Sequence, residues 1–235
     1  VNPHVYLHET IDIIGQGRAA YNHHMTANFA RQAREGRGLH CVAVFSTVGS
    51  TERWPQSVNL WEYAGGWAGV AAHFRLELSN PRHQDDELAA WWAEAAALRS
   101  GGYDRLLVPA SYSPPLAHLL AEGVRGECYY HELVACEPGR ARDFLDLVGE
   151  HRLGLAERFG WRLVGAYRTA MVHDSEAILV WAVPTWDDWA HWEEAQESDA
   201  AVAMWRGHLH GVVRDWRCKL LVASELSPLH TGREL

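Results

Sequence analysis

Apolar positions along the chain change their period in a regular order. Residues 5–11 form a short run rich in β-branched and aromatic side chains that ends at Gly15 and Gly17, which predicts a strand. A helical pattern follows from Arg18 to about Glu35, stopped by Gly36 and Gly38. Short apolar runs at 39–47 and 58–64, separated by a turn-rich loop at 49–55, predict a hairpin. A helical region at about 85–99 and a last strand at 103–110 complete a strand-helix-strand-strand-helix-strand unit. The order then recurs: strand 129–135, helix 139–159, strands 163–170 and 177–183, helices within 185–213, and strand 216–223. Thr185, with Asp188 three residues on, predicts a helix N-cap.

The recurrence is also written in the residues. Tyr6-Leu7-His8-Glu9 matches Tyr129-Tyr130-His131-Glu132, and Gly17-Arg18-Ala19 matches Gly139-Arg140-Ala141. Gly38 to Thr47 matches Gly160 to Thr169, at the offset of 122 residues that also separates Arg18 from Arg140. Leu60 to Trp67 aligns with Leu179 to Trp186 after a loop three residues shorter, and Leu106-Leu107-Val108 with Leu220-Leu221-Val222. An internal repeat of this length indicates a duplicated supersecondary unit. The expected fold is therefore α+β: two fused ferredoxin-like βαββαβ units, repeats 1–120 and 121–235, forming a pseudo-dimeric α/β barrel with helices outside. One sheet face per unit has no helices and must be covered.

Composition narrows the function classes. The chain has 235 residues, 48% of them hydrophobic, enough for a sizeable core. Its formal net charge of −9 disfavours binding to a phosphate backbone. Nothing reaches 18 consecutive apolar residues, so no membrane span is expected; the run at 88–98, broken by Glu94, reads as a buried helix. The N-terminus shows no secretory pattern and the four cysteines form no CxxC, so the expected setting is a reducing cytoplasm. Twelve tryptophans point to a wide aromatic pocket wall or a large interface.

The stretch Leu155-Ala-Glu-Arg-Phe-Gly160-Trp-Arg-Leu-Val-Gly165-Ala-Tyr-Arg-Thr169, followed by Ile178-Leu-Val-Trp181-Ala-Val-Pro-Thr-Trp186 and preceded by Pro138-Gly139, resembles the NIPSNAP family of the dimeric α/β-barrel superfamily. The first half resembles it more faintly through Gly38 to Thr47 and Leu60-Trp61-Glu62-Tyr63. Where the family usually carries Glu-Leu-Arg-x-Tyr on its first strand, this chain has His131-Glu132-Leu133-Val134-Ala135. The resemblance implies a barrel pocket. The superfamily includes cofactor-independent monooxygenases, polyketide cyclases, haem enzymes and lactone isomerases, so the reaction stays open.

Strand parity sorts the candidate chemistry. Tyr6, His8 and Thr10 share one face of the first strand, with Val5, Leu7, Glu9 and Ile11 on the other. The second set is mostly apolar, so the histidines are expected to face the cavity, where an imidazole can move protons near neutral pH. The expected catalytic groups are His8 and His131, then Glu9, Glu62 and Glu132, particularly where burial raises a carboxyl. Expected substrate contacts are Tyr6, His40, Asn59, Trp61, Tyr63, Tyr167, Arg168 and Trp181. The repeat alignment sets Asn59, Trp61 and Tyr63 against Ile178, Val180 and Ala182, so one half looks polar and the other apolar. Trp186, Trp189 and Trp192 form a helical stripe that reads as core or interface. No nucleotide-binding glycine motif, serine-hydrolase elbow or zinc spacing is present. The expected function is cofactor-independent acid/base chemistry of isomerase, cyclase, lyase or monooxygenase type on a small, largely apolar molecule. A ligand carrier, an interaction module, or a barrel holding haem through a single axial His or one metal ion through His8, His131 and a Glu are the alternatives. Unfilled barrel ends would allow a homo-oligomer.

Overall fold

The computed structural model describes residues 1–82 and 86–235. The chain forms two compact units, Pro3–Leu106 with Ala223–Leu235, and Leu107–Val222 with Val1–Asn2. These bounds differ from the expected repeats 1–120 and 121–235 at the ends: residues 107–120 fall in the second unit, and residues 223–235 in the first.

The first unit runs β1 (Val5–Ile13), α1 (Arg18–His23), a π-helical turn (His24–Phe29), α2 (Ala30–Arg37), β2 (Leu39–Thr47), β3 (Gln56–Tyr63), α3 (Gly66–Glu77), α4 (Ala89–Leu98) and β4 (Arg99–Pro109). β3 is central, antiparallel to β1 from Val5↔Tyr63 to Asp12↔Gln56 and to β2 from Leu39↔Tyr63 to Ser46↔Ser57. The start of β4 lies against β1: a Cβ on Gly102 would sit 2.6 Å from the Thr10 carbonyl oxygen, so only glycine fits there. The left-handed Gly38 (φ 61°) ends α2 and turns the chain straight into β2. Ser224 N–H donates to the Val44 carbonyl at 2.8 Å, which ties the C-terminal segment to β2.

The second unit has α5 (Leu116–Ala121), β5 (Cys128–Cys136), α6 (Ala141–Leu147), a π-helical turn (Val148–Arg152), α7 (Leu153–Arg158), β6 (Arg162–Thr169), β7 (Glu176–Val183), α8 (Trp186–Ser198), α9 (Ala200–His208) and β8 (Val213–Ala223). A last short helix, α10 (Pro228–Thr231), belongs to the first unit. β7 pairs antiparallel with β5 and β6, β5 also pairs with β8, and the end of β4 pairs with β6 at Leu107↔Thr169. Each unit is thus an antiparallel sheet with its helices in βαββαβ order, the α+β class the pattern predicts. Thr185 caps α8 in a full capping box with Asp188.

Three features differ from the sequence-based expectation. Helix α3 occupies a glycine-rich stretch that shows no clear helical period, and the expected start of the next helix at Asp85 lies outside the described residues. A π-helical turn interrupts the first helix of both units, and no apolar spacing announces it. The hairpin loop of the second unit is two residues shorter than that of the first, not three. In hydrogen-bonded register Trp61 lies opposite Leu7 and Trp181 opposite Tyr130, so Trp61 corresponds to Trp181, Asn59 to Leu179 and Glu62 to Ala182. A one-residue slip inverts every face assignment in a strand. The polar-against-apolar contrast at Trp61 therefore disappears, while the one at Asn59 persists.

Candidate functional site in the first unit

Leu7 and Glu9 project from β1 toward the helices, where the π-helical turn brings Met25 and Phe29 over the sheet. Together with Leu39, Trp61 and Tyr63 they bound a cavity of about 230 Å³. Leu88, Trp91 and Trp92 supply a second apolar wall, and His73, Phe74 and Glu77 of α3 a third. Phe29 stacks on Trp91 at 4.5 Å between ring centroids and meets Trp61 edge-on at 5.4 Å, so the aromatic walls brace one another. Drug-sized ligand pockets span about 300–1,000 Å³, so this one suits a molecule of one to three rings.

In this cavity the Glu9 carboxyl is held in a fixed orientation against the Trp61 indole. Its Oε2 accepts from the Trp61 indole Nε1 at 2.7 Å and from Asn59 Nδ2 at 3.0 Å. Asn59 in turn donates to the Tyr21 hydroxyl at 3.2 Å. Among the described residues no donor reaches Oε1, which is left to the cavity. Burial and, second, the charge of Asp104 push the Glu9 carboxyl up to about 7, against the opposing pull of the two hydrogen bonds and Arg99. Asp104 is itself raised by burial. Burial and the nearby Glu9 charge keep the Tyr63 phenol protonated through the neutral range. A carboxylate with one oxygen clamped, the other free and an affinity for protons near neutrality is suited to general-base work.

The raised Glu9 carboxyl has a consequence for stability. The folded state holds this proton up to about pH 7, whereas an unfolded glutamate releases it near 4.5. The folded state is therefore favoured fully below about pH 4.5 and loses that advantage as pH climbs through 7, on the order of 3 kcal/mol for a shift of this size. Glu9→Gln keeps an acceptor for Trp61 and Asn59 and removes the titration. Urea unfolding is expected to show the variant more stable than the parent at pH 8 and equal to it at pH 4; equal stability at both values would refute the raised carboxyl.

The second unit holds a filled copy of this arrangement. Glu132 is fully buried, accepts from Trp181 Nε1 at 2.7 Å, and is likewise pushed up to about 7 by burial, with Arg152 pulling the other way. Here Arg152, at the end of the second π-helical turn and 0% exposed, places an Nη2 atom 3.8 Å from Glu132 Oε1. Its guanidinium lies 4.0 Å from the ring centroid of Trp192, 5.0 Å from that of Trp181 and 5.6 Å from that of Trp161. Trp161 stands where the first unit has Leu39, each directly after the glycine that ends the helix.

Of the residues singled out from the sequence, the structure brings Glu9, Asn59, Trp61 and Tyr63 together. His8 and His131 are buried on the sheet face opposite Glu9 and Glu132, so the histidines expected to face this cavity lie outside its lining. Tyr6 donates to Glu62 Oε2 at 2.6 Å, and His4 lies 3.7 Å from that carboxyl's other oxygen, a cluster on the same far face. His40 pairs with Glu234, Arg168 lies 4.0 Å from Asp174, and Tyr167 is buried in the second unit; none of the three reaches the cavity. Trp181 belongs to the Glu132 copy. Of the tryptophan stripe only Trp192 is buried, while Trp186 is exposed. Met25, Phe29, Leu39, His73, Trp91 and Asp104 line the cavity without having been singled out. Trp91 and Trp92 were visible only as part of a buried helix, Met25 and Phe29 sit on a helix whose period a π-helical turn breaks, His73 lies in a stretch with no clear helical period, and Leu39 and Asp104 sit on predicted strands whose faces were not sorted. The four cysteines are free. Among the described residues no group of three His, Cys, Asp or Glu is placed to hold a metal ion, and no helix is long and apolar enough to cross a membrane.

No family model matches the chain, and no curated protein matches it. Solved structures do. An anthrone oxidase-like protein aligns over 94% of this chain and 92% of its own at 10% identity and a TM-score of 0.64. A candidate monooxygenase from Lactobacillus acidophilus NCFM aligns over 95% of both chains at 9% identity and a TM-score of 0.61. A NIPSNAP family protein of unknown function from Agrobacterium tumefaciens covers 45% of this chain and 95% of its own at 18% identity and a TM-score of 0.39. The two full-length likenesses show that this chain shares the fold of those proteins. At such identities they show the fold alone.

Proposed function

We propose that the chain is an enzyme that removes a proton from a small, flat, largely apolar molecule held in the first-unit cavity, with Glu9 as the base. The observation that carries this reading is the free Oε1 of a carboxyl raised to about 7 and clamped by Trp61 and Asn59 on an aromatic floor. Asn59 and Trp61 act as positioning residues, and the aromatic walls exclude water from the anion that forms.

The finer form of the proposal is cofactor-independent oxygenation, supported by the names of the full-length fold neighbours. A ring methylene gives its proton to Glu9, and the resulting carbanion reduces dioxygen, forming a carbon–oxygen bond. The oxygen–oxygen bond then breaks as the second methylene proton is lost. One oxygen atom becomes the product carbonyl and the other leaves as water, so one methylene and one dioxygen give one ketone and one water. Isomerase, cyclase and lyase chemistry share the first step and differ in where the proton returns.

Anthrone is a suitable probe because it is flat, apolar and carries an acidic methylene. Quenching of tryptophan fluorescence measures its binding. Exchange of its methylene protons with deuterium oxide measures proton removal, and oxygen uptake measures the second step. Exchange and uptake above the spontaneous rates are expected. Exchange without uptake leaves the base and removes the oxygenation. Binding without either overturns the enzyme and leaves a carrier. Because His8 and His131 lie on the far face, the His8→Ala/His131→Ala chain is expected to retain exchange; its loss would return the proton transfer to the histidines.

A further inference from the structure

The two units carry the same carboxyl on the same indole, one with empty space before it and one with an arginine there. Glu9 and Glu132 follow the same Tyr-x-His tripeptide on β1 and β5, and Trp61 and Trp181 donate to them at the same 2.7 Å. In the second unit the space is taken by the planar Arg152 guanidinium, packed among Trp161, Trp181 and Trp192 and paired with Glu132. Among the described residues no hydrogen-bond acceptor reaches the Arg152 guanidinium; the carboxylate and the aromatic faces hold it. In the first unit Leu39 replaces the Trp161 indole, Trp61, Trp91 and Phe29 keep the aromatic faces, and Glu9 Oε1 stays open. We infer that the second unit is an internally occupied copy of the site, and that the first-unit cavity binds a planar cation of the amidinium or guanidinium class, its N–H edge on Glu9 and its face on the indoles. This goes beyond the proton-transfer reading, since it concerns what the cavity binds whether or not a reaction follows.

The basic groups of the lining leave Glu9 without a close ion-pair partner among the described residues. Glu77 and Asp104 join Glu9 in the lining, and Arg37, Arg99, Arg105 and His73 oppose them. Arg99 is drawn onto Trp92 at 4.4 Å, Arg105 onto Tyr103 at 4.2 Å, and His73 Nε2 onto Glu77 at 3.0 Å. Among the described residues no cation forms an ion pair with Glu9. A bound amidinium supplies the missing partner, relieves the Asp104 repulsion and gains the face of an indole.

Benzamidine and its neutral near-isostere benzamide test the inference on the full chain. At pH 8, calorimetric titration is expected to show benzamidine binding at least about tenfold more tightly than benzamide. Glu9→Gln is expected to abolish the difference, and Leu39→Trp, which imports the second unit's wall, to weaken both ligands with the circular dichroism spectrum unchanged. Benzamide binding as well as benzamidine, a preference that survives in Glu9→Gln, or no binding of either overturns the inference. Anthrone exchange reports on the proton-transfer reading separately: a chain that exchanges anthrone but ignores benzamidine loses only this inference, and one that binds benzamidine without exchange loses only the other.

Discussion

Glu9→Gln is expected to lower kcat/KM for anthrone proton exchange by about 10²- to 10⁴-fold, the range a positioned general base supplies. Anthrone affinity is expected to change little. The amide is isosteric and keeps one oxygen for Trp61 and Asn59, so the walls of the cavity stay as they are while the lone pair that takes the proton is gone. The pH dependence is a stricter test. In the parent chain only ionised Glu9 is competent, so the rate is expected to rise with pH and reach half its plateau near 7. Asn59→Leu copies Leu179 of the second unit. It removes a hydrogen bond that favours the ionised form, so its midpoint is expected to move upward with the plateau largely retained. A midpoint near 4.5 in the parent, or one unmoved by Asn59→Leu, would take Glu9 out of the role of base. Full exchange by Glu9→Gln would do so outright.

The residues of the repeat made the architecture readable, because most strands end at a change of period or at a glycine; β4 is an exception, with Gly101 and Gly102 inside the strand. The α+β class, the strand order within each unit and the Thr185 cap followed from that. The site was legible only in part. Glu9, Asn59, Trp61 and Tyr63 could be named because they sit on strands, where a period of two assigns faces. The assignment of faces went the other way: Leu7 and Glu9 looked like a core-facing set, and the core they face contains the cavity. Parity groups residues but does not say which group meets empty space, and that depends on single volumes such as Leu39 against Trp161. The helical contributors were hidden for a different reason. Phe29 and Arg152 owe their placement to π-helical turns, which shift the face of a helix in a way no 3.6-residue period records. His8 and His131 recur at equivalent positions in both repeats, which is as well explained by burial as by function.

Replacing Arg152 tests the filled copy of the site and is expected to give the largest change in stability. Arg152→Met retains much of the side chain's length among Trp161, Trp181 and Trp192, so the packing loss is small and the principal loss is the charge beside Glu132. Removing one member of a buried ion pair costs about 3–5 kcal/mol when the other stays charged. Glu132 stays charged only above its own raised value of about 7, and without Arg152 that value climbs further. The sign follows: parent and variant lose stability alike between pH 4.5 and 7, where both folded states hold the Glu132 proton and the unfolded chain has released it, and only above 7, where the parent's Glu132 ionises, does the variant go on losing. Urea denaturation is therefore expected to show a small deficit at pH 5 and one that grows by about 1.4 kcal/mol per pH unit above 7, to about 3 kcal/mol at pH 9. Measured against Glu132→Gln, the Arg152→Met/Glu132→Gln chain is expected to show a deficit without pH dependence, because neither chain has a carboxyl there to ionise. Equal losses at both pH values would mean that Arg152 matters as packing alone. In that event the guanidinium would no longer serve as a guide to what the open cavity of the first unit holds.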